Sequence, residues 1–190
     1  MKFKKALLAA TAIIITLLSG CASSPSHLII APEITTLPTS QVVQKQASLK
    51  VTDMRIANHV VQILREGEAA TLFSAQERLE DIIKHSLSKH WQQQGLFIQT
   101  SAVNSIDIEI EKALISITQE IMSYQAKSEI RLKVSINNSQ QTLTSTFKNH
   151  GSSNGPFKAD IAVLERNFNQ RLTNLLQEIL INKKINDFIK

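Results

Sequence analysis

Apolar residues alternate with polar ones over long stretches of this chain and recur at helical spacing in two others. Ile130, Leu132, Val134 and Ile136 alternate with Arg131, Lys133 and Ser135, the mark of a strand with one buried face. Asn137, Asn138 and Ser139 then favour a turn. The chain returns with Leu143, Ser145 and Phe147 on one face and Thr142, Thr144 and Thr146 on the other. Upstream, Ile106, Ile108 and Ile110 sit on even positions, but Ile115 and Ile117 sit on odd ones. A one-residue slip turns a strand over unless a bulge absorbs it, so a bulge is expected near Lys112 and Ala113. Ala47, Leu49 and Val51 make an earlier half-buried strand. Val60 to Arg65 and Ala69 to Phe73 flank Glu66-Gly67-Glu68, which predicts a hairpin.

The helical stretches are as clear. Leu79, Ile82, Ile83, Leu87 and Trp91 form one stripe, with Trp91 expected at the core edge and its indole N–H near the surface. Gly95 suits the left-handed residue that follows a helix. Ser74 to Glu77 matches a capping box and places the helix start there. Leu96-Phe97-Ile98 resumes strand character. From Asp160, the residues Ile161, Leu164, Phe168, Leu172, Leu175 and Ile179 form a second stripe, widened by Leu176 and Leu180. Asn182 is expected to break this helix, leaving Ile185, Phe188 and Ile189 in a last short turn. His150 to Pro156 reads as a polar loop, and a mobile partner-binding loop is one use for it. The order is strand, hairpin, helix, antiparallel meander, helix. Two singly striped helices on one face of an antiparallel or mixed sheet predict an α+β two-layer sandwich.

The N-terminus changes the picture. Lys2, Lys4 and Lys5 precede an uncharged apolar run from Ala6 to Leu18, then small residues and Cys21. That run makes roughly 20 Å of helix, short of the ~30 Å hydrocarbon core, so it is a signal segment rather than a span. Leu18-Ser19-Gly20-Cys21 resembles the lipobox of bacterial lipoproteins. The resemblance implies cleavage before Cys21, a diacylglyceryl thioether on its sulfur and usually an amide-linked third chain, palmitate being the acyl group expected, which is enough for stable attachment. Ala22 stands where Asp would signal inner-membrane retention in lipoproteins of this type, which implies the periplasmic leaflet of the outer membrane. The expected division is a signal peptide at 1–20, a lipidated Pro- and Ser-rich tether at 21–44, and one periplasmic domain at 45–190. Leu28-Ile29-Ile30 is the apolar exception in the tether and is expected to dock on the domain.

Charge and chemistry narrow the function. The formal charge of +5 includes three lysines of the signal; 18 scattered basic residues then face 16 acidic ones, which does not suggest a nucleic-acid partner. Cys21 is the sole cysteine, so no disulfide forms within the chain and no thiol nucleophile remains. His27, His59, His85, His90 and His150 show no i, i+4 pair, so no metal site is expected. There is no Gly-x-Ser-x-Gly elbow and no phosphate-cradling loop. Asp107, Glu109 and Glu111 form an acidic row, which strand alternation explains without catalysis. The sequence therefore predicts neither an enzyme nor a cofactor.

The lipobox, the Pro-rich tether, the helix closing on Gly95-Leu96-Phe97-Ile98, the meander, and the ending Ile185-Asn186-Asp187-Phe188-Ile189-Lys190 together resemble the YajG family of enterobacterial lipoproteins. The resemblance implies an envelope lipoprotein of this fold and carries over no functional residue except Cys21. The expected role is a binding or scaffold domain that meets an envelope protein, a lipid or peptidoglycan through a sheet face around Arg131, Lys133, Thr142 and Thr144. Two alternatives stand beside it: an accessory lipoprotein of an envelope lipid or transport system, and a cell-wall hydrolase.

Overall fold

Strand β6 (Ser105–Gln119) organises the sheet. In the computed structural model, which describes residues 27–35 and 45–189, one edge of β6 pairs along its whole length with antiparallel β7 (Ser123–Asn137). Its other edge is shared. Strand β2 (Lys45–Asp53) runs parallel to its first half and β3 (His59–Leu64) to its second. Strand β4 (Thr71–Ala75) returns from β3 through the expected hairpin, where Gly67 takes a φ of 71°. Strands β1 (His27–Leu28) and β5 (Leu96–Ile98) add in parallel to β4 and β2, and β8 (Thr142–Pro156) closes the far side against β7. The result is an eight-stranded mixed sheet, curled like a half-barrel, with helices α1 (Leu79–Gln93), α2 (Ile161–Ile181) and α3 (Lys183–Ile189). The described residues form three helices rather than two, because the chain re-enters a helix after Asn182, whose Oδ1 accepts from the Ile185 amide at 3.2 Å.

The expected bulge is present. Pairing of β6 with β7 slips between Ile110 and Lys112, so Glu111 is the extra residue and Ile110 and Ala113 both stay buried. The parallel edge breaks at the same level, between β2 and β3. Arg55 fills this gap. Its Nη1 donates to the carbonyls of Ala113 (3.0 Å) and His59 (3.2 Å), and Asp53 holds the rest of the guanidinium. One side chain thus supplies the donors that a continuous strand would have provided.

Four expectations need correction or sharpening. Ser74 does not cap a helix. It pairs with His27 and His59 inside β4, and α1 begins at Leu79 behind Arg78, which makes no side-chain cap. Sheet pairing claimed the backbone that the capping box needed. Residues 150–156 are not a loop either, because β8 continues to Pro156 opposite the first half of β7. Gly155 leaves space for a neighbour, since a Cβ there would come within 2.8 Å of the Tyr124 ring, whereas over Gly151 lies the flexible end of Arg171, which a side chain could displace. Trp91 is fully buried rather than at the core edge. Lastly, residues 27–35 of the predicted tether pack on the domain. Leu28 and Ile30 are buried while Ile29 faces out. Glu165, Asn169 and Thr173, one turn apart on α2, accept from the amides of Ile29 (2.8 Å), Ala31 (3.0 Å) and Glu33 (3.1 Å). A polar stripe of a helix here replaces a neighbouring strand as hydrogen-bond partner. The remaining tether residues lie outside those described.

The buried side chains of β6 and β7 come from one face of each, with the parity change at the bulge, and they meet the stripes of α1 and α2. Of the residues the periodicity predicted, Leu79, Ile83, Leu87 and Trp91 on α1 and Leu164, Phe168, Leu172, Leu175 and Ile179 on α2 are buried, while Ile82 and Ile161 are half-buried. Asp160 caps α2, its Oδ1 accepting from the Ala162 amide at 2.9 Å.

Candidate functional site: the uncovered sheet face

Among the described residues, no helix covers the other face of β6, β7 and β8. Arg131 stands opposite Lys148, Lys133 opposite Thr146, Ser135 opposite Thr144 and Asn137 opposite Thr142. The four residues proposed from the sequence, Arg131, Lys133, Thr142 and Thr144, therefore share this face. The threonines lie at the β7–β8 turn end and the cations nearer the middle. Thr142 Oγ1 accepts from Asn137 Nδ2 at 3.1 Å, and Thr144 shares a 3.3 Å hydroxyl contact with Ser135.

The cations do not form a basic patch. Lys133 meets Glu109 at 3.1 Å, Lys112 meets Glu129 at 2.8 Å, and Arg131 bridges Glu129 at 2.5 Å and Glu111 at 4.0 Å. The acidic row on β6 is thus matched across the strands by basic residues on β7. Asp107 instead accepts from the Ser105 hydroxyl at 3.1 Å. Hydrogen bonding from Lys112, helped by Arg131, holds the Glu129 carboxyl below its ordinary range against a smaller opposing effect of burial. A carboxylate pinned in its ionised form by two cations is a structural anion, not a proton donor.

Beyond these pairs the face opens into a hollow of about 460 Å³ lined by Lys112, Ser116, Lys127, Glu129, His150 and Ser152. Sequence reasoning missed this part. With 150–156 read as a loop, His150 and Ser152 had no register to place them beside Glu129 and Lys127. The available signal was the length of β7, whose first half needs a partner.

A second hollow of about 520 Å³ lies at the start of α1, lined by residues including Asp53, Arg55, Arg78 and Glu80. Its charges are committed. Burial raises the Asp53 carboxyl, but the hydrogen bonds and charge of Arg55 outweigh this and lower it. Arg78 is raised by its hydrogen bond to Glu80. Of the histidines, His90 Nδ1 lies 2.7 Å from the Ser86 carbonyl one helical turn back. Among the described residues no group of histidines and carboxylates is arranged to hold a metal ion, and no helix is long and apolar enough to cross a membrane. Cys21 lies outside the described residues.

Residues 32–190 match the model of a family described as uncharacterised lipoprotein, the YajG family that the sequence resembles. No curated protein matches the chain. Among solved structures, the fold is similar to that of protein XCC0632 from Xanthomonas campestris, with a TM-score of 0.61 at 14% identity over 86% of this chain and 97% of that one. A putative neuraminyllactose-binding hemagglutinin homolog from Helicobacter pylori aligns over 86% of this chain and 96% of its own, at 10% identity and a TM-score of 0.49. At these identities the first likeness shows a shared fold, and the second is too distant to carry an argument.

Proposed function

Because the chain belongs to this family of uncharacterised lipoproteins, we propose that it is a non-catalytic binding or scaffold module, lipid-anchored through Cys21 to the periplasmic leaflet of the outer membrane, whose partner-facing surface is the open face of β6–β8. The observation that carries this reading is asymmetry. Among the described residues, the helical stripes cover one side of the sheet and leave the other uncovered. That side is not an edge needing protection, nor an apolar surface needing burial. It is a mosaic of ion pairs and hydroxyls, which suits a polar macromolecule of the envelope better than an acyl chain. Alternating signs favour orientation of a partner over strong long-range attraction.

Reversing Arg131 or Lys133 would break internal ion pairs, so bulk at the exposed threonines is the cleaner probe. In cells producing the lipidated chain with Thr144→Arg and Thr146→Arg, in vivo crosslinking should recover less of the partner captured by the wild type. The thermal transition should stay where it was, because both side chains are exposed. An unchanged set of crosslinked partners would exclude this face as the contact.

A further inference from the structure

We propose that one end of the sheet is a bilayer contact: the tip formed by Ile121, Met122 and Phe157 rests in the lipid surface to which Cys21 anchors the chain. These side chains are 94%, 64% and 62% exposed. They are neighbours, since the Phe157 amide donates to the Met122 carbonyl at 2.9 Å.

The tip is built rather than left over. Phe157 holds a φ of 62°, a left-handed conformation unfavourable for a bulky residue. Gln119, almost fully buried, keeps it there. Its Nε2 lies 2.8, 3.0 and 2.7 Å from the carbonyls of Glu120, Ser123 and Phe157, and its Oε1 accepts from the Ala159 amide at 3.2 Å. One amide thus ties the β6–β7 turn to the link between β8 and α2 and presents three apolar side chains to the outside.

The course of the N-terminal segment says what covers the tip. Strand β1 is parallel to β4, and β4 starts at the tip end, Thr71 being level with Ile63 and so with Ile117. Followed backward, β1 therefore points toward the tip. His27 enters beside Ser74, one residue past Phe73, which is level with Val61 and hence Ile115. From that level to Ile121 is about six strand residues, roughly 20 Å. Five residues lie between Cys21 and His27, and the six Cα–Cα steps can span at most about 22 Å. With 27–35 docked on α2, those steps set the reach of Cys21 from the domain. The lipid-bearing residue can therefore reach the level of the tip, whereas the Ser105 end of β6, about nine strand residues or roughly 30 Å from His27, lies beyond that span. Glu120 and Lys158 adjoin the tip in the chain, and Arg65, Glu66 and Glu68 lie in the β3–β4 turn at the same end, Leu64 being level with Thr118, so with both signs present its hold on lipid is apolar and insensitive to salt. This surface is separate from the open face of β6–β8, and partner loss through Thr144→Arg would leave it intact.

The test uses the full lipidated chain, its mass confirming lipid at Cys21, in vesicles of phosphatidylethanolamine and phosphatidylglycerol. Ile121→Cys or Val103→Cys, the latter exposed near the start of β6 at the opposite end, supplies a single free thiol for a fluorophore. Spin-labelled lipid should quench the probe at 121 several-fold more than the probe at 103, in low and high salt alike. Adding Met122→Ser and Phe157→Ser should reduce that quenching without moving the thermal transition. Equal quenching at both positions would overturn the proposal. So would a probe at 121 shielded only by concentration-dependent self-association.

Discussion

Arg55 shows how much one buried charge can organise. Its side chain is 7% exposed and that of Asp53 12%, and between them they close the break in the parallel edge opposite the β6 bulge. Removing one member strands the other's charge, together with the carbonyls of His59 and Ala113 that Arg55 serves. Arg55→Ala should therefore destabilise the fold by about 3–5 kcal/mol in chemical denaturation at neutral pH. The same pair sets a pH dependence. The folded carboxyl of Asp53 lies below its ordinary value of 3.8, so the unfolded chain binds its proton first on acidification. Its contribution is complete above that value and is lost as pH falls through the lower, folded one. Asp53→Asn should flatten stability against pH in this acid window and leave the slope near neutrality unchanged. Nothing in Val51-Thr52-Asp53-Met54-Arg55 announced this role. Asp and Arg two apart are ordinary in a sequence, and only the bulge across the sheet makes their pairing necessary.

At the scale of elements, two helix starts that look alike in sequence differ in the fold. Ser74-Ala75-Gln76-Glu77 has the letters of a capping box, yet Ser74 is a strand residue. Asp160 has less context, yet its carboxylate accepts from the Ala162 amide. Asp160→Ala should cost about 1 kcal/mol in equilibrium unfolding, while Ser74→Ala should stay within about 0.5 kcal/mol. A loss of cap-like size at Ser74 would contradict the assignment. Strand β8 teaches the converse. Gly151, Ser152, Asn154 and Gly155 carry turn propensities, but fourteen antiparallel partners of β6 already fix β7 as a long strand, and its first half recruits these residues. Local preference is worth less than a row of backbone hydrogen bonds that would otherwise go unmade.

For the molecule as a whole, the folded unit reaches back at least to His27. Leu28 is fully buried between β4 and the helical layer, joined to the sheet where the Gln76 amide donates to its carbonyl at 2.8 Å. Leu28→Ala should cost about 2–5 kcal/mol, as for other buried leucines, and Ile29→Ala, its exposed neighbour, much less. Equal small effects, read from denaturation of the two variants, would mean the segment is not part of the fold. By itself the sequence determined the strand and helix stripes, the bulge and the polar character of one sheet face. Each of these is written in spacing along the chain, because alternation and helical periodicity are local properties of the backbone. Tertiary structure decided which edge of β6 accepts β2 and β3, that β8 runs on through its glycines, that α2 grips the N-terminal segment, and that Gln119 raises an apolar tip. Those depend on residues distant in sequence meeting at one place, and no local period records such a meeting.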